Sequence, residues 1–78
     1  MSMTTRERNP VLEMMLHVGF GQLKDGLYED AISTFSAARL MDSTDERPLR
    51  GRGMCYLHLK RDVLAEADFL IAESLQGV

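Results

Sequence analysis

The side chains with the most chemical reach in this sequence are Cys55, His58 and His17. Cys55 and His58 stand three apart, close enough to share one side of a helix, while His17 lies in a different segment. Three such groups fall short of the four ligands of a structural zinc site and lack its paired spacing, so no metal site is expected. A nucleophilic Cys55 would need a histidine at hydrogen-bond distance and an oxyanion site, and no glycine-rich strand-to-helix elbow exists to build one. Cys55 reads better as a small buried hydrophobe, and His17 and His58 as surface or boundary residues. Arg47, Arg50 and Arg52, with Lys60 and Arg61, form a positive strip that lacks the aromatic interleaving of nucleic-acid binders. These arginines are expected to answer acidic neighbours such as Asp45 and Glu46, or an acidic stretch on a protein partner. Gly19-Phe20-Gly21 falls inside a helical pattern with no Lys-Ser or Lys-Thr after it, so it is no phosphate loop. The acidic pairs read as solvated faces. Neither a catalytic residue nor a cofactor is expected.

The frame that must position these residues is small. At 78 residues and 8.8 kDa the chain has room for one core, which supports only a few kcal/mol of net stability and makes a self-sufficient enzyme an unlikely design. A hydrophobic fraction of 45 % with 27 % charged residues is too apolar for intrinsic disorder. One cysteine excludes an internal disulfide. Nine Lys and Arg against twelve Asp and Glu give a charge of -3, so no positive field draws the chain to nucleic acid or anionic lipid, and a protein partner is expected. No apolar run is long enough to span a bilayer, and the start Met1-Ser2-Met3-Thr4-Thr5-Arg6-Glu7-Arg8 lacks the apolar stretch of a signal peptide. A cytoplasmic location is expected, where a free Cys55 persists.

The chain repeats itself. Shifted by 34 positions, Gly19 falls on Gly53, Ala31 on Ala65, Phe35 on Phe69 and Ala38 on Ala72. Met15 falls on Leu49, Phe20 on Met54 and Leu23 on Leu57, whereas Asp30 on Leu64 is a mismatch. The copies run from about 12 to 45 and from about 46 to 78, behind a flexible lead of residues 1–9, within one domain over 10–78. Each copy reads as a helical hairpin. Asn9-Pro10 opens the first helix with a cap residue and an N1 proline, and Met14, Met15, Val18 and Gln22 are expected on its packing face. Asp25-Gly26 ends it, and Tyr28–Met41 carries Ala31, Ile32, Phe35 and Ala38 at helical spacing. Ser43-Thr44-Asp45-Glu46 offers a capping box to a third helix over about 46–59. Asp62 is expected to cap a fourth helix over about 62–75, closed by Gly77. Gly19 and Gly53 each cost their helix about 1 kcal/mol relative to alanine, a cost best explained by close approach of a partner helix. Ala31 and Ala65 are expected opposite them, with Phe35 and Phe69 filling the gap beneath.

This pattern resembles the tetratricopeptide repeat over nearly the whole chain. The run Gly26-Leu27-Tyr28-Glu29-Asp30-Ala31-Ile32-Ser33-Thr34-Phe35 is similar to that family's turn and second helix, and the second copy keeps Gly53, Tyr56, Ala65, Phe69 and Ala72. The chain departs from the pattern at Ser43, where the family often has proline, and at Lys60, where the first copy has Gly26. The resemblance implies an all-α fold of two tandem helix-turn-helix hairpins. A narrower similarity, carried by 26–29 through Leu40-Met41-Asp42 and by Met54-Cys55-Tyr56-Leu57-His58-Leu59, is to the small tetratricopeptide chaperones of bacterial type III secretion. It implies a cytoplasmic chaperone or co-chaperone that shields an export substrate.

In such a stack the first helix of each hairpin lines the concave face. Leu16, Phe20 and Leu23 of the first copy and Arg50, Met54 and Leu57 of the second are the expected partner-binding groove. Leu16 and Phe20 cannot hold a carboxylate, so the groove suits a segment with hydrophobic anchors instead of a carboxylate tail. The same residues also fit a core beneath a folded-back N-terminus, or a self-association surface. The last helix exposes Leu64, Ala67, Leu70 and Ile71 with nothing after it to cover them, so a hetero-complex or a homo-oligomer is expected. The competing function is a scaffold or adaptor that self-associates.

Overall fold

The computed structural model describes residues 9–76, and these form helices α1 (Pro10–Lys24), α2 (Tyr28–Met41), α3 (Arg47–His58) and α4 (Asp62–Gln76), with no strand among them. The architecture is all-α. Residues 1–8, most of the expected lead, and Gly77, the expected terminator of α4, lie outside the described residues.

Local chemistry sets the ends of α1. The Asn9 carboxamide oxygen accepts from the Val11 and Leu12 amides at 2.9 and 3.3 Å, and Pro10 follows where no amide is needed. At the other end Gly26 takes φ +80°, which lets its N–H donate to the Leu23 carbonyl and the Leu27 N–H to that of Gln22, a Schellman closure. The same closure recurs after α3. There Lys60 donates to Leu57 and Arg61 to Tyr56, with Lys60 at φ 63°. Lys60 thus does glycine's work at a steric cost.

Two caps differ from expectation. No Ser43–Glu46 capping box forms, because α3 begins only at Arg47 and Glu46 spends its carboxylate on Arg50. Asp45 supplies the acceptor instead, taking the Arg47 amide at 3.0 Å. Asp62 is the first residue of α4 and not its cap, since Ala65 donates to the carbonyl of Arg61.

Each helix packs on the next in sequence, and α1 also touches α3. Pairs that span more residues away from each turn, such as Thr34 with Gln22 and Phe35 with Gly19, make the hairpin antiparallel. With both α1 and α3 antiparallel to α2, the two run parallel, joined at their starts by Arg47 and Glu13 at 2.7 Å. The core holds Leu12, Leu16, Ala31, Phe35, Ala38 and Cys55, with Met15, Leu23, Tyr28 and Ile32 packed against it.

The glycines explain the spacing, though not as the sequence implied. A Cβ on Gly19 would stand 2.7 Å from the Phe35 ring and one on Gly53 2.7 Å from Phe69, so the aromatic rings, and not Ala31 and Ala65, lie opposite them. A third glycine, Gly51, closes on the same Phe35 ring, which α1 and α3 therefore both approach without a side chain between. Such contact requires the absence of a side chain.

Candidate protein-binding face

The buried stripe of α1 is Leu12, Leu16 and Gly19, at spacings of four and three that keep one side toward α2. This corrects two readings. Leu16 is 4 % exposed and belongs to the core, so it is not a groove residue. Met14 and Val18, expected on the packing face, are 65 and 45 % exposed. Leu23 is half-buried against the core.

What remains of the groove lies where α1 and α3 run side by side. Phe20, Met54 and Leu57 are 41, 42 and 44 % exposed, with Phe20 and Met54 at the same position of their repeats. Phe20 is fixed from beneath by an edge contact with Phe35, centroids 4.8 Å apart. Met54 and Leu57 join His58 and Lys60 around a shallow depression of about 310 Å³. His58 stacks on Tyr28, rings 7° from parallel at 4.6 Å, a contact no local spacing announces, and it ties the end of α3 to the start of α2. Arg50 borders this face half-buried, engaged by Glu46 and by the Gln76 carboxamide. On α4, Leu64, Ala67, Leu70 and Ile71 are all exposed.

The arginine strip is matched from within. Arg47 holds Asp45 and Glu13, and these hydrogen bonds, Asp45 first, raise its guanidinium above the ordinary range. Arg52 grips both oxygens of Asp68 at 2.8 and 2.9 Å and donates to the Ser36 hydroxyl at 3.0 Å. Asp68 is 4 % exposed, and its hydrogen bond raises Arg52 in turn. The expected partners Asp45 and Glu46 are present, but Asp68, sixteen residues on, escaped the sequence because no local spacing announces it.

No acid–base or metal chemistry gathers at this face. Burial pushes the Cys55 thiol up, away from the thiolate a nucleophile requires. Among the described residues no three His, Cys, Asp or Glu side chains could hold a metal ion together, and no helix is long and apolar enough to cross a membrane. What the arrangement offers is apolar area on a rigid support, with Lys60 and His58 at its edge. The chain matches no protein-family model, no curated protein and no solved structure.

Proposed function

We propose that the chain is a protein-binding module of tetratricopeptide type, not an enzyme, which holds an apolar segment of another protein along the α1–α3 face. The observation that carries this reading is the row of Phe20, Met54 and Leu57, each about two-fifths exposed on helices whose other sides are anchored in the core. Side chains so placed gain about 25 cal/mol for each Å² of apolar surface a partner covers. The 34-residue recurrence of the Gly–Phe contacts and of the Schellman turns supports the repeat reading. Within it, the similarity of 26–29 and 54–59 to type III secretion chaperones favours a cytoplasmic chaperone or co-chaperone, whose client is an export substrate with hydrophobic anchors. The exposed face of α4 favours a second reading, a self-associating scaffold.

Site-specific photocrosslinking in the native host tests the groove. A benzoylphenylalanine at position 57 should capture one protein that the same probe at position 29, on the exposed start of α2, does not. The adduct should vanish in a Phe20→Asp, Met54→Asp variant of unchanged helicity. Equal adducts at both positions, or an adduct that survives the double substitution, would sink the assignment.

A further inference from the structure

In the order of packing, α2 has α1 and α3 as neighbours and α3 has α2 and α4, so α1 and α4 are the ends of the row. The 34-residue shift tells what each end face lacks. On α3 the face toward the preceding hairpin is closed: Cys55 lies in the core with Phe35, Gly51 meets the Phe35 ring, Arg52 bonds Ser36, and fully buried Pro48 falls on the same side of the helix. The α1 residues at those positions are Gly21, His17, Val18 and Met14, and all four are exposed. On α2, Phe35 and Ser36 meet α3. Their counterparts on α4 are Phe69, half-buried where Phe35 is wholly covered, and Leu70, which is exposed beside Ile71. Each end therefore carries one half of the interface that α2 and α3 make inside the chain.

We infer that α4 of one copy seats on α1 of a second copy, head to tail, as α2 seats on α3. Both halves are apolar: Met14 and Val18 on α1, and half-buried Phe69 with exposed Leu70 on α4. Charge agrees as well. Glu13 and Arg47 occupy the same repeat position and pair within the chain, so the Glu13 of a following copy arrives beside Arg47 with the opposite sign. His17 stands where Gly51 admits the Phe35 ring, so the helices of the new contact must sit further apart than α2 and α3. Met14 and Leu70, larger than the Pro48 and Ser36 whose places they take, help fill that wider gap. Because the two faces differ, the contact is heterologous and the assembly grows by addition.

Sedimentation velocity on the full chain, over a wide concentration range, reads this directly. The wild-type mass should climb with concentration past that of a dimer. Val18→Asp spoils only the α1 face and Leu70→Asp only the α4 face, so each alone should remain monomeric, while their equimolar mixture should double in mass and stop there. Met14→Lys and Leu70→Lys, again at exposed positions but with the opposite charge, form a second pair that guards against misfolding. A wild type that stays monomeric, a single variant that still dimerises through a symmetric contact, or a mixture that remains monomeric would each overturn the inference. The groove is a different surface, and its crosslinking result stands or falls separately.

Discussion

Gly51→Ala is a substitution whose sign depends on one neighbour. In an exposed helix it would stabilise by about 1 kcal/mol, alanine being the better helix former. Here the new methyl would overlap the Phe35 ring, lying 2.6 and 2.7 Å from two of its edge carbons, where carbon atoms rest about 3.5–4.0 Å apart. The ring has little freedom to retreat, since Gly19 of α1 also closes on it, a Cβ there standing 2.7 Å from the ring. Overpacking of this kind costs about 1–3 kcal/mol, and a ring closed on by two helices belongs in the upper half, so the net loss is about 1–2 kcal/mol after the helix gain. Phe35→Leu alone should cost less than the roughly 3–5 kcal/mol of truncating a buried Phe to alanine, and it removes the obstacle. In that background Gly51→Ala should become stabilising by about 0.5–1 kcal/mol, a coupling of about 2 kcal/mol between the sites. Urea unfolding of the four proteins, followed by helical circular dichroism, measures every corner of the cycle. If Gly51→Ala stabilises the wild type, or shifts both backgrounds equally, the ring is not closed on by both α1 and α3 and the account of the spacing fails.

Two further substitutions test the frame. Lys60→Gly relieves the left-handed residue after α3 and should raise stability by about 0.5–1 kcal/mol, whereas Gly26→Lys should lower it by a similar amount; an unchanged urea midpoint for both would contradict the two Schellman turns. Asp68→Ala strands the Arg52 guanidinium, whose side chain is only 22 % exposed, and should cost about 2–3 kcal/mol, or roughly 10–20 °C in Tm for a domain this size, with Asp68→Asn milder because one acceptor stays. A loss under about 0.5 kcal/mol for the alanine variant would show that the pair is an ordinary surface one.

The sequence made the helices legible because their punctuation is chemical: Asn9-Pro10 and Asp25-Gly26 stop and start a helix wherever they occur. Rotation of α1 was harder. Two apolar stripes compete on it, Leu12-Leu16-Gly19 and Val11-Met14-Val18, and periodicity alone cannot say which meets α2. Gly19 decides the matter, since the one residue without a side chain marks the side of closest approach, and Leu16 lies one turn before it. Gly51 carries the same signal, but its counterpart is His17, so the 34-residue repeat does not mark it. Asp68 was hidden for another reason. A carboxylate among Ala65, Phe69 and Ala72 reads as the polar side of α4, and only the fold brings Arg52 within 2.9 Å of it.

The packing on Phe35 and the exposed row on α1 and α3 are one mechanical system. Phe20 rests on the edge of the ring that Gly19 and Gly51 hold, and Met54 stands one turn beyond Gly51 on the same helix. The positions of α1 and α3, and with them the width of the binding face, therefore both depend on contact with one aromatic ring. A change that forces the helices apart, as Gly51→Ala does, must move Phe20 relative to Met54 by a comparable fraction of an ångström or more. Binding through this face should then weaken in step with stability along the Gly51–Phe35 cycle, even though neither residue reaches the surface. A face formed by loosely attached side chains would show no such link, because exposed residues on an unclamped helix could adjust to a partner without disturbing the core.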